Sequence, residues 1–552
     1  MKASLKQAET PPDRVPDGPF PRILCRALIA LVCGIACTAW AAPPVVPEIR
    51  QFLEGIDAGA SPSIALQQLR YPSDLSVLYN ARDHRPLWTG GGPLAGQLEG
   101  LLQALGESGT HGLNPHAYHL AALEMLTRSP TPAAENGSEL AVELLASDAF
   151  LGQARHRSSG AVSPHQLDPD WHLIPEEIDA VALLLQTAES RRPVTQTLTS
   201  LWPPQPEYQR LVAERARILA LRDEPVVRVS SGPLLKPGQI DERIVQLKER
   251  LLGPGQYTPV YDETLYHTVV EFQRSAGLET DGTVGPGTLQ VLNASRFSWI
   301  NSIDANLERW RWLPRRLPDT YVRVNIAAFM LRVVQHDHDV LSMNVIVGRP
   351  YRRTPVFSEA IRYMVLNPYW NVPFKLAVED KLPQLRKDPQ VLAAQGFEVR
   401  PNGTEGFVAL DTVDWRNVTR KNFNYLLRQR PGDQNALGRL KIMLPNEYAV
   451  YLHDTPSRDL FSKQERGFSS GCIRLAEPMR LADWILRNDG KADKASQLPQ
   501  LVASGETLTL HLNTPLSTLV VYFTAFTDAA GDLVFRRDLY DRDAPIVAAL
   551  RG

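Results

Sequence analysis

Cysteine is scarce in this chain of 552 residues, and its placement is uneven. Three of the four cysteines, Cys25, Cys33 and Cys37, lie near the N-terminus, and Cys472 stands alone in the rest of the chain. If the N-terminal segment is removed, the remaining thiol cannot form an internal disulfide, so stability must come from core burial. A lone thiol in an oxidising compartment is a liability unless it has a chemical role, and a buried inert cysteine is the alternative.

A strong excess of either charge is also missing. The formal net charge is −2 at pH 7 and the isoelectric point is about 6.7, which argues against nucleic acid as a partner. Charged residues make up 22% of the chain, and 44 prolines indicate several connecting segments in an ordinary soluble protein. The length allows three or four domains.

The N-terminal segment has the pattern of a secretory signal. Arg22 and Arg26 precede an apolar run that reaches Thr38, and the small-residue site AWA follows at 39–41. A charged start, a short apolar stretch and such a site predict a signal peptide over residues 1–41 and export of the mature chain. An uncleaved membrane anchor stays open, although glycine and two following prolines make the stretch a poor span.

Residues 43–235 have helical periodicity. Leucines recur at helical spacing over 94–105, and Pro- and Gly-bearing breaks separate several such segments. This pattern predicts a helical scaffold. His111, His116 and His119 show no metal-ligand or nucleophile–base spacing, so we expect loop or helix-surface positions without a catalytic role.

Residues 236–293 form a shorter unit. Two amphipathic helical segments are followed by tight turns at the DG dipeptide of 281 and the GP dipeptide of 285, and then by a third helical segment. This predicts a three-helix module. The Trp and Leu pattern of residues 294–318 predicts that they rejoin the scaffold, with the module inserted within it.

From residue 319 to 545 the apolar period changes from 3.6 to 2, which predicts a mainly β domain. The hairpin predicted near its end turns at about 530–532. Residues 375–440 interrupt the pattern, because they are polar and partly helical, and they predict an insertion that caps a cleft. The fold class is therefore α+β with several domains.

The stretch "NEYAVYLHDTP" predicts a strand that presents two side chains to a site. Alternation places Val450 and Leu452 towards the core and Tyr451 and His453 on the opposite face. The chain returns 15 residues after His453 as "SSGCIR", residues 469–474.

This second stretch supplies the elements of acyl transfer through a thiol. A free thiol is only about 3% ionised at pH 7, so Cys472 needs His453 as a base, and the charge of Arg474 can add to the stabilisation of the thiolate. Ser470 and Gly471 form a tight turn whose backbone N–H groups can stabilise an oxyanion. The sequence therefore predicts a cysteine acyltransferase.

Two resemblances add to this prediction. "VVEFQRSAGLETDGTVGPGTLQVLN" resembles the repeat of the peptidoglycan-binding domain family. "HDTP", 12 further residues and then "SSGCIR" resemble the catalytic signature of the YkuD-type L,D-transpeptidases, and "NPYWNVP" resembles a stretch lining their cleft. The likeness extends to large family members with a helical scaffold, a peptidoglycan-binding module and a capping insertion on a sandwich-like β domain.

The resemblance implies residue roles. Cys472 would be the nucleophile and His453 its base, with Gly471 and the Cys472 amide as oxyanion donors. Many relatives have His where this chain has Ser470, so no second histidine can act there. The substrate-binding residues implied by the resemblance are Arg474, Tyr451 and Trp370.

The resemblance also implies the reaction. The thiolate attacks the carbonyl that joins residue 3 of a stem tetrapeptide to its terminal D-Ala, D-Ala leaves, and an amine of a neighbouring stem resolves the thioester to give a 3→3 cross-link. Peptidoglycan stem peptides would be donor and acceptor in the periplasm, without a cofactor or metal. We expect a monomer that carbapenems acylate; association with the membrane and with other wall enzymes stays open.

Three alternatives remain at this point. Water as the acceptor would make the protein an L,D-carboxypeptidase, and an inactive catalytic domain would leave a wall-binding protein. A zinc peptidase is suggested only by His336 and His338 in "QHDHD", where no third ligand has a recognised spacing.

Overall fold

The computed structural model describes residues 45–128, 135–220, 227–276, 278–528 and 530–551. The predicted signal peptide and its three cysteines lie outside the described residues. Within the described ranges, no helix is both long and apolar enough to cross a membrane.

The N-terminal region is helical around one central helix, α5, which contacts five of the others. Glu143 of α5 is fully buried, and its carboxylate accepts the backbone N–H groups of Trp88 and Thr89 at 2.9 and 3.0 Å. The helices are α1 (Val45–Asp57), α2 (Pro72–Asn80), α3 (Leu98–Glu107), α4 (Leu120–Arg128), α5 (Glu135–Ser159), α6 (Pro164–Leu167), α7 (Ala180–Ser190), α8 (Val194–Thr199) and α9 (Pro206–Ala220), with a ribbon of β1 (Ser63–Ile64) and β2 (Gln67–Gln68).

Two of the histidines in this region are buried, contrary to the prediction of loop or surface positions. The His111 ring stacks on Trp202 with centroids 3.9 Å apart, and His119 Nε2 lies 2.8 Å from a carboxylate oxygen of Asp148. His116 is exposed as predicted. The prediction was wrong for His111 and His119 because their burial depends on helices distant in sequence.

Residues 227–293 form a small module with its own hydrophobic core. Its helices are α10 (Arg243–Leu252), α11 (Glu263–Ser275) and α12 (Pro286–Leu292), which confirms the predicted three-helix unit. α13 (Arg296–Arg311) follows and contacts α9 and α5 of the helical region as well as the β domain. The chain thus returns to the helical region after the module.

The β domain is built on a nine-stranded sheet in the order β12-β5-β13-β11-β10-β6-β14-β3-β4, and a further β4–β5 pairing closes it on itself. The predicted mixed fold class is confirmed, and the expected sandwich is one continuous sheet. Its strands are β3 (Thr320–Asn325), β4 (Met330–Gln335), β5 (His338–Gly348), β6 (Phe357–Leu366), β10 (Leu440–Met443), β11 (Leu452–His453), β12 (Gly467–Ser469), β13 (Ile473–Leu475) and β14 (Leu508–Val521).

Further elements pack on this sheet. The predicted C-terminal hairpin is present, and Pro478 opens a helix as its place in the sequence suggests. These elements are α17 (Pro478–Asn488), α18 (Ala492–Ala503), β15 (Ala525–Thr527), β16 (Leu533–Phe535) and α19 (Asp543–Arg551). One continuous core includes both the helical region and the β domain.

The insertion has a core of its own and contains a sheet that the sequence did not predict. Its three strands, in the order β7-β9-β8, place Trp370 opposite Gln429. A π-helical segment, Ala377–Lys381, joins two of its helices. The other elements are β7 (Trp370–Asn371), α14 (Phe374–Leu376), α15 (Leu382–Lys387), α16 (Pro389–Ala394), β8 (Phe397–Pro401) and β9 (Tyr425–Gln429).

Candidate active site

Three adjacent strands bring the candidate residues together. Lys441 of β10 lies opposite His453 of β11, and His453 lies opposite Arg474 of β13. Directly paired residues share one face of a sheet, so these three side chains form a row across the strands. The alternate residues Val450 and Leu452 are buried in the core.

The turn before Cys472 is held by hydroxyl groups. Ser469 is 2% exposed; its hydroxyl accepts the N–H of Gly471 at 3.1 Å and donates to the carbonyl of Cys472 at 2.5 Å. The Thr354 hydroxyl donates to the carbonyl of Gly471 at 2.8 Å. Gly471 has φ of +117°, a backbone conformation that favours glycine, so this sequence can make the turn without strain.

The Cys472 thiol is partly exposed, and its sulfur lies 3.7 Å from the carbonyl oxygen of Ala449. Burial raises the thiol pKa. Hydrogen bonds from the backbone N–H and the hydroxyl of Tyr451, and the positive charges of Lys441 and Arg474, oppose that rise without cancelling it. The sulfur is therefore protonated at rest and is surrounded by groups that favour its thiolate.

His453 is 5% exposed and is oriented by the main chain. Its Nδ1 lies 2.5 Å from the carbonyl oxygen of Asp454, which can only accept, so Nδ1 carries the proton and Nε2 keeps its lone pair. Burial, with the charges of Arg474 and Lys441, lowers the pKa of His453 to about 3. The imidazole is neutral at physiological pH and can accept a proton.

Tyr451 connects the members of the site. Its ring lies 5.6 Å from that of His453, and its hydroxyl hydrogen-bonds to the sulfur of Cys472 and accepts from the indole of Trp370. Burial raises the pKa of Tyr451, so the hydroxyl stays a donor. Lys441 Nζ lies 4.0 Å from the centroid of the same ring. Tyr451 and Trp370, predicted only to bind substrate, also lie against the thiol.

Ser470 points away from the thiol, towards the capping insertion. It is exposed, and its hydroxyl accepts from Arg352 at 3.1 Å. The Arg352 guanidinium also bonds both carboxylate oxygens of Asp380 at 2.7 and 2.8 Å and one of Glu379 at 2.9 Å. These acids raise the pKa of Arg352, and together they tie the catalytic turn to the π-helical segment.

Arg474 is half-buried beside the site. Its Nε is fully buried and has no hydrogen-bond partner in the part of the chain that the structure describes. Burial and the neighbouring charge of Arg349 lower the pKa of Arg474, while the sulfur of Cys472 opposes that change. The site thus has positive charge that no carboxylate neutralises.

Four residues of the site were not predicted. Ser469 stands inside the quoted "SSGCIR" stretch, and Lys441 stands between two buried aliphatic residues of "LKIM", where alternation would place it on the site face. Arg352 and Thr354 carry no comparable signal, because they reach the turn from a loop more than a hundred residues earlier.

The histidines of "QHDHD" lie elsewhere. His336 and His338 are exposed at the turn between β4 and β5. Among the described residues, no group of three or more His, Cys, Asp and Glu side chains could hold a metal ion.

Comparison with protein families follows the order of the domains. Residues 73–214 match a family described as "Scaffold domain", residues 241–292 match "Putative peptidoglycan binding domain", and residues 319–502 match "L,D-transpeptidase catalytic domain". The chain contains an L,D-transpeptidase catalytic domain. The predicted family, with its scaffold and its peptidoglycan-binding module, is confirmed.

Two curated proteins resemble the chain of this L,D-transpeptidase domain. A "Putative L,D-transpeptidase" of Haemophilus influenzae is 33% identical over 234 residues, which are 42% of this chain and 47% of that protein. A "Probable N-acetylmuramoyl-L-alanine amidase" of Bacillus licheniformis is 38% identical over 76 residues, 12% of this chain and 21% of that protein. The matches span about half, or less, of each relative's length.

Proposed function

We propose that the protein forms 3→3 cross-links in peptidoglycan by acyl transfer through Cys472 from a tetrapeptide stem. The observation that carries this proposal is the placement of the thiol. Within an L,D-transpeptidase catalytic domain, the sulfur contacts Tyr451 and directly precedes β13, which pairs with the strand of His453.

The reaction begins with proton transfer from the sulfur of Cys472 to Nε2 of His453. The sulfur attacks the carbonyl of stem residue 3, the C–N bond to D-Ala breaks, and the leaving amine takes the proton from His453. An amine of a second stem then gives its proton to His453 and attacks the thioester. The C–S bond breaks, the new amide is the cross-link, and the thiol regains its proton.

The backbone N–H groups of Gly471 and Cys472 stabilise the oxyanion. The Gly471 N–H already donates to Ser469, so it exchanges a neutral hydroxyl oxygen for a charged one as the intermediate forms. Charge-assisted hydrogen bonds are about twice as strong as neutral ones, so this exchange favours the intermediate over the resting state.

Substrate binding in this proposal uses three residues that differ in character. Arg474 supplies positive charge for the anionic stem, and Tyr451 and Trp370 supply aromatic surface. The match to a peptidoglycan-binding domain supports retention at the wall, and with it a periplasmic location after export. The proposed protein acts as a monomer, without a cofactor, and carbapenems acylate Cys472.

Product analysis tests the proposal against its alternatives. Purified protein is incubated with a disaccharide-tetrapeptide, and the products are resolved by mass spectrometry, with Cys472→Ser as the inactive control. We expect dimers that have lost one D-Ala. Trimmed tripeptides alone would indicate an L,D-carboxypeptidase. An unconsumed substrate, with no carbapenem adduct in the intact mass, would indicate a wall-binding protein.

A further inference from the structure

Lys441 has an unusual position for an ammonium group. It lies on an interior strand of the sheet, between Val365 of β6 and His453 of β11, and it is only partly exposed. Its Nζ lies 4.0 Å from the centroid of the Tyr451 ring, and it forms no ion pair with a carboxylate of the described residues. Partial burial of a charge without a counter-ion costs free energy, so its presence calls for a negative partner that forms at this place.

The other groups that face the thiol do not supply such a countercharge. Tyr451 and His453 face it from β11, and Arg474 faces it from β13 with Arg349 beyond. Trp370 of β7 reaches the site as an uncharged indole through the Tyr451 hydroxyl. The ionisable neighbours are therefore cations, an imidazole and a phenol, and the negative charge that can arise among them is the thiolate of Cys472.

We propose that Lys441 is a positioning residue whose ammonium group, held over the Tyr451 ring and in register with His453, stabilises the Cys472 thiolate. The inference rests on the proposed function only in taking Cys472 as the nucleophile. Lys441 acts on the sulfur through space and through Tyr451, whose hydroxyl donates to that sulfur, and it does not touch the acyl group.

The orientation of His453 gives this charge a particular effect. Nδ1 donates to a main-chain carbonyl, so an imidazolium at this position would have no carboxylate to stabilise it. A neighbouring ammonium opposes the imidazolium and favours the thiolate, so it shifts the pair towards a thiolate beside a neutral imidazole. The lowered pKa values to which Lys441 contributes at both Cys472 and His453 agree with this direction.

The consequence is a shift in the pH dependence of sulfur reactivity. A nearby positive charge lowers the pKa of an acid that becomes negative, so its removal raises the thiol pKa. Each unit of that rise reduces the thiolate fraction about tenfold at a pH below the pKa. A structural role for Lys441 would change the unfolding temperature without moving this profile.

The test measures alkylation of Cys472 by iodoacetamide as a function of pH in the full chain. The modified peptide is quantified by mass spectrometry, so that other cysteines do not interfere. In Lys441→Met and Lys441→Gln the apparent pKa should rise by about one unit, with alkylation about tenfold slower at pH 7. Lys441→Arg should keep the wild-type profile, and so should Lys494→Gln, which neutralises an exposed lysine on α18.

Two results would overturn the proposal: an unchanged profile in both neutral variants, or an equal shift in Lys441→Arg. Because alkylation needs no peptidoglycan, it separates this inference from the proposed function. A Lys441-dependent profile without cross-linked products would contradict only the transpeptidase reaction. An independent profile with normal products would contradict only the role of Lys441.

Discussion

At the scale of single residues, the reactivity of Cys472 depends on groups that never contact the substrate. Ser469 is the clearest case, because one buried hydroxyl bonds the N–H of Gly471 and the carbonyl of Cys472. It therefore fixes the direction of the peptide groups on both sides of the turn. Ser470, its neighbour in sequence, bonds Arg352 and leaves those peptide groups alone.

This adjacent pair of serines gives a matched experiment. Ser469→Ala leaves the Gly471 N–H and the Cys472 carbonyl without their partner, at a cost of about 1–3 kcal/mol. We expect the second-order rate of carbapenem acylation of Cys472 to fall about tenfold or more, while Ser470→Ala stays within about threefold of the wild type. Equal rates in the two variants would show that Ser469 does not organise the turn.

The residues that the sequence could identify are those with a local signature. Cys472, Gly471 and Arg474 stand within six residues of one another, and His453 is placed by the alternation of a single strand. Lys441 and Arg352 belong to the same site, but their contacts come from strand pairing and loop packing that sequence spacing does not record. The burial of His111 and His119 was missed for the same reason.

At the scale of elements, the period of apolar residues predicted the long strands and the helices, because each buries one face against a common core. The three-stranded sheet of the capping insertion gave no such signal. Its first strand has two residues, Trp370–Asn371, and pairs with a strand more than fifty residues later. A polar segment of this kind acquires its core only when distant parts meet.

Arg352 joins the insertion to the catalytic turn, and this contact should control local opening. Its guanidinium is 12% exposed and bonds two carboxylates of the π-helical segment, Asp380 and Glu379. A bidentate pair of this burial is worth about 1 kcal/mol or more. Arg352→Gln should therefore speed amide hydrogen exchange in residues 377–387 by about fivefold.

The matched control for this change is Arg420→Gln. Arg420 pairs with Glu379 at 3.5 Å but is 67% exposed, so its loss should change exchange in residues 377–387 by less than twofold. Exchange in the three-helix module, which has a separate core, should be the same in both variants. If Arg352→Gln leaves residues 377–387 as protected as in the wild type, the contact does not hold the insertion.

At the scale of the whole molecule, the helical region and the β domain share one core, whereas the module and the insertion have cores of their own. Buried ion pairs cross the shared boundary. Arg309 of α13 bonds Asp543 at 2.6 Å, and Arg323 of β3 bonds Glu207 of α9 through two hydrogen bonds. We therefore expect the helical region and the β domain to unfold in one main transition.

Buried histidines make that main transition sensitive to acid. Burial lowers the pKa of His111 and His453 to about 3 and that of His156 to about 4, so all three are neutral in the folded state. In the unfolded state each takes up a proton near pH 6.5. The stability that this difference represents is therefore complete above pH 6.5 and is lost as the pH falls towards 4.

Between pH 6.5 and 5 each buried histidine should remove about 2 kcal/mol from the free energy of unfolding, at about 1.4 kcal/mol per pH unit. The urea midpoint of the main transition should therefore be clearly lower at pH 5 than at pH 7. His156, which bonds the hydroxyls of Tyr71 and Tyr118 at 3.0 and 2.9 Å, can be replaced by glutamine to remove its share of the decrease. His116→Gln changes an exposed residue and should leave the decrease intact. Equal midpoints at the two pH values would mean that these histidines gain their protons without unfolding, through local opening that the shared core does not resist.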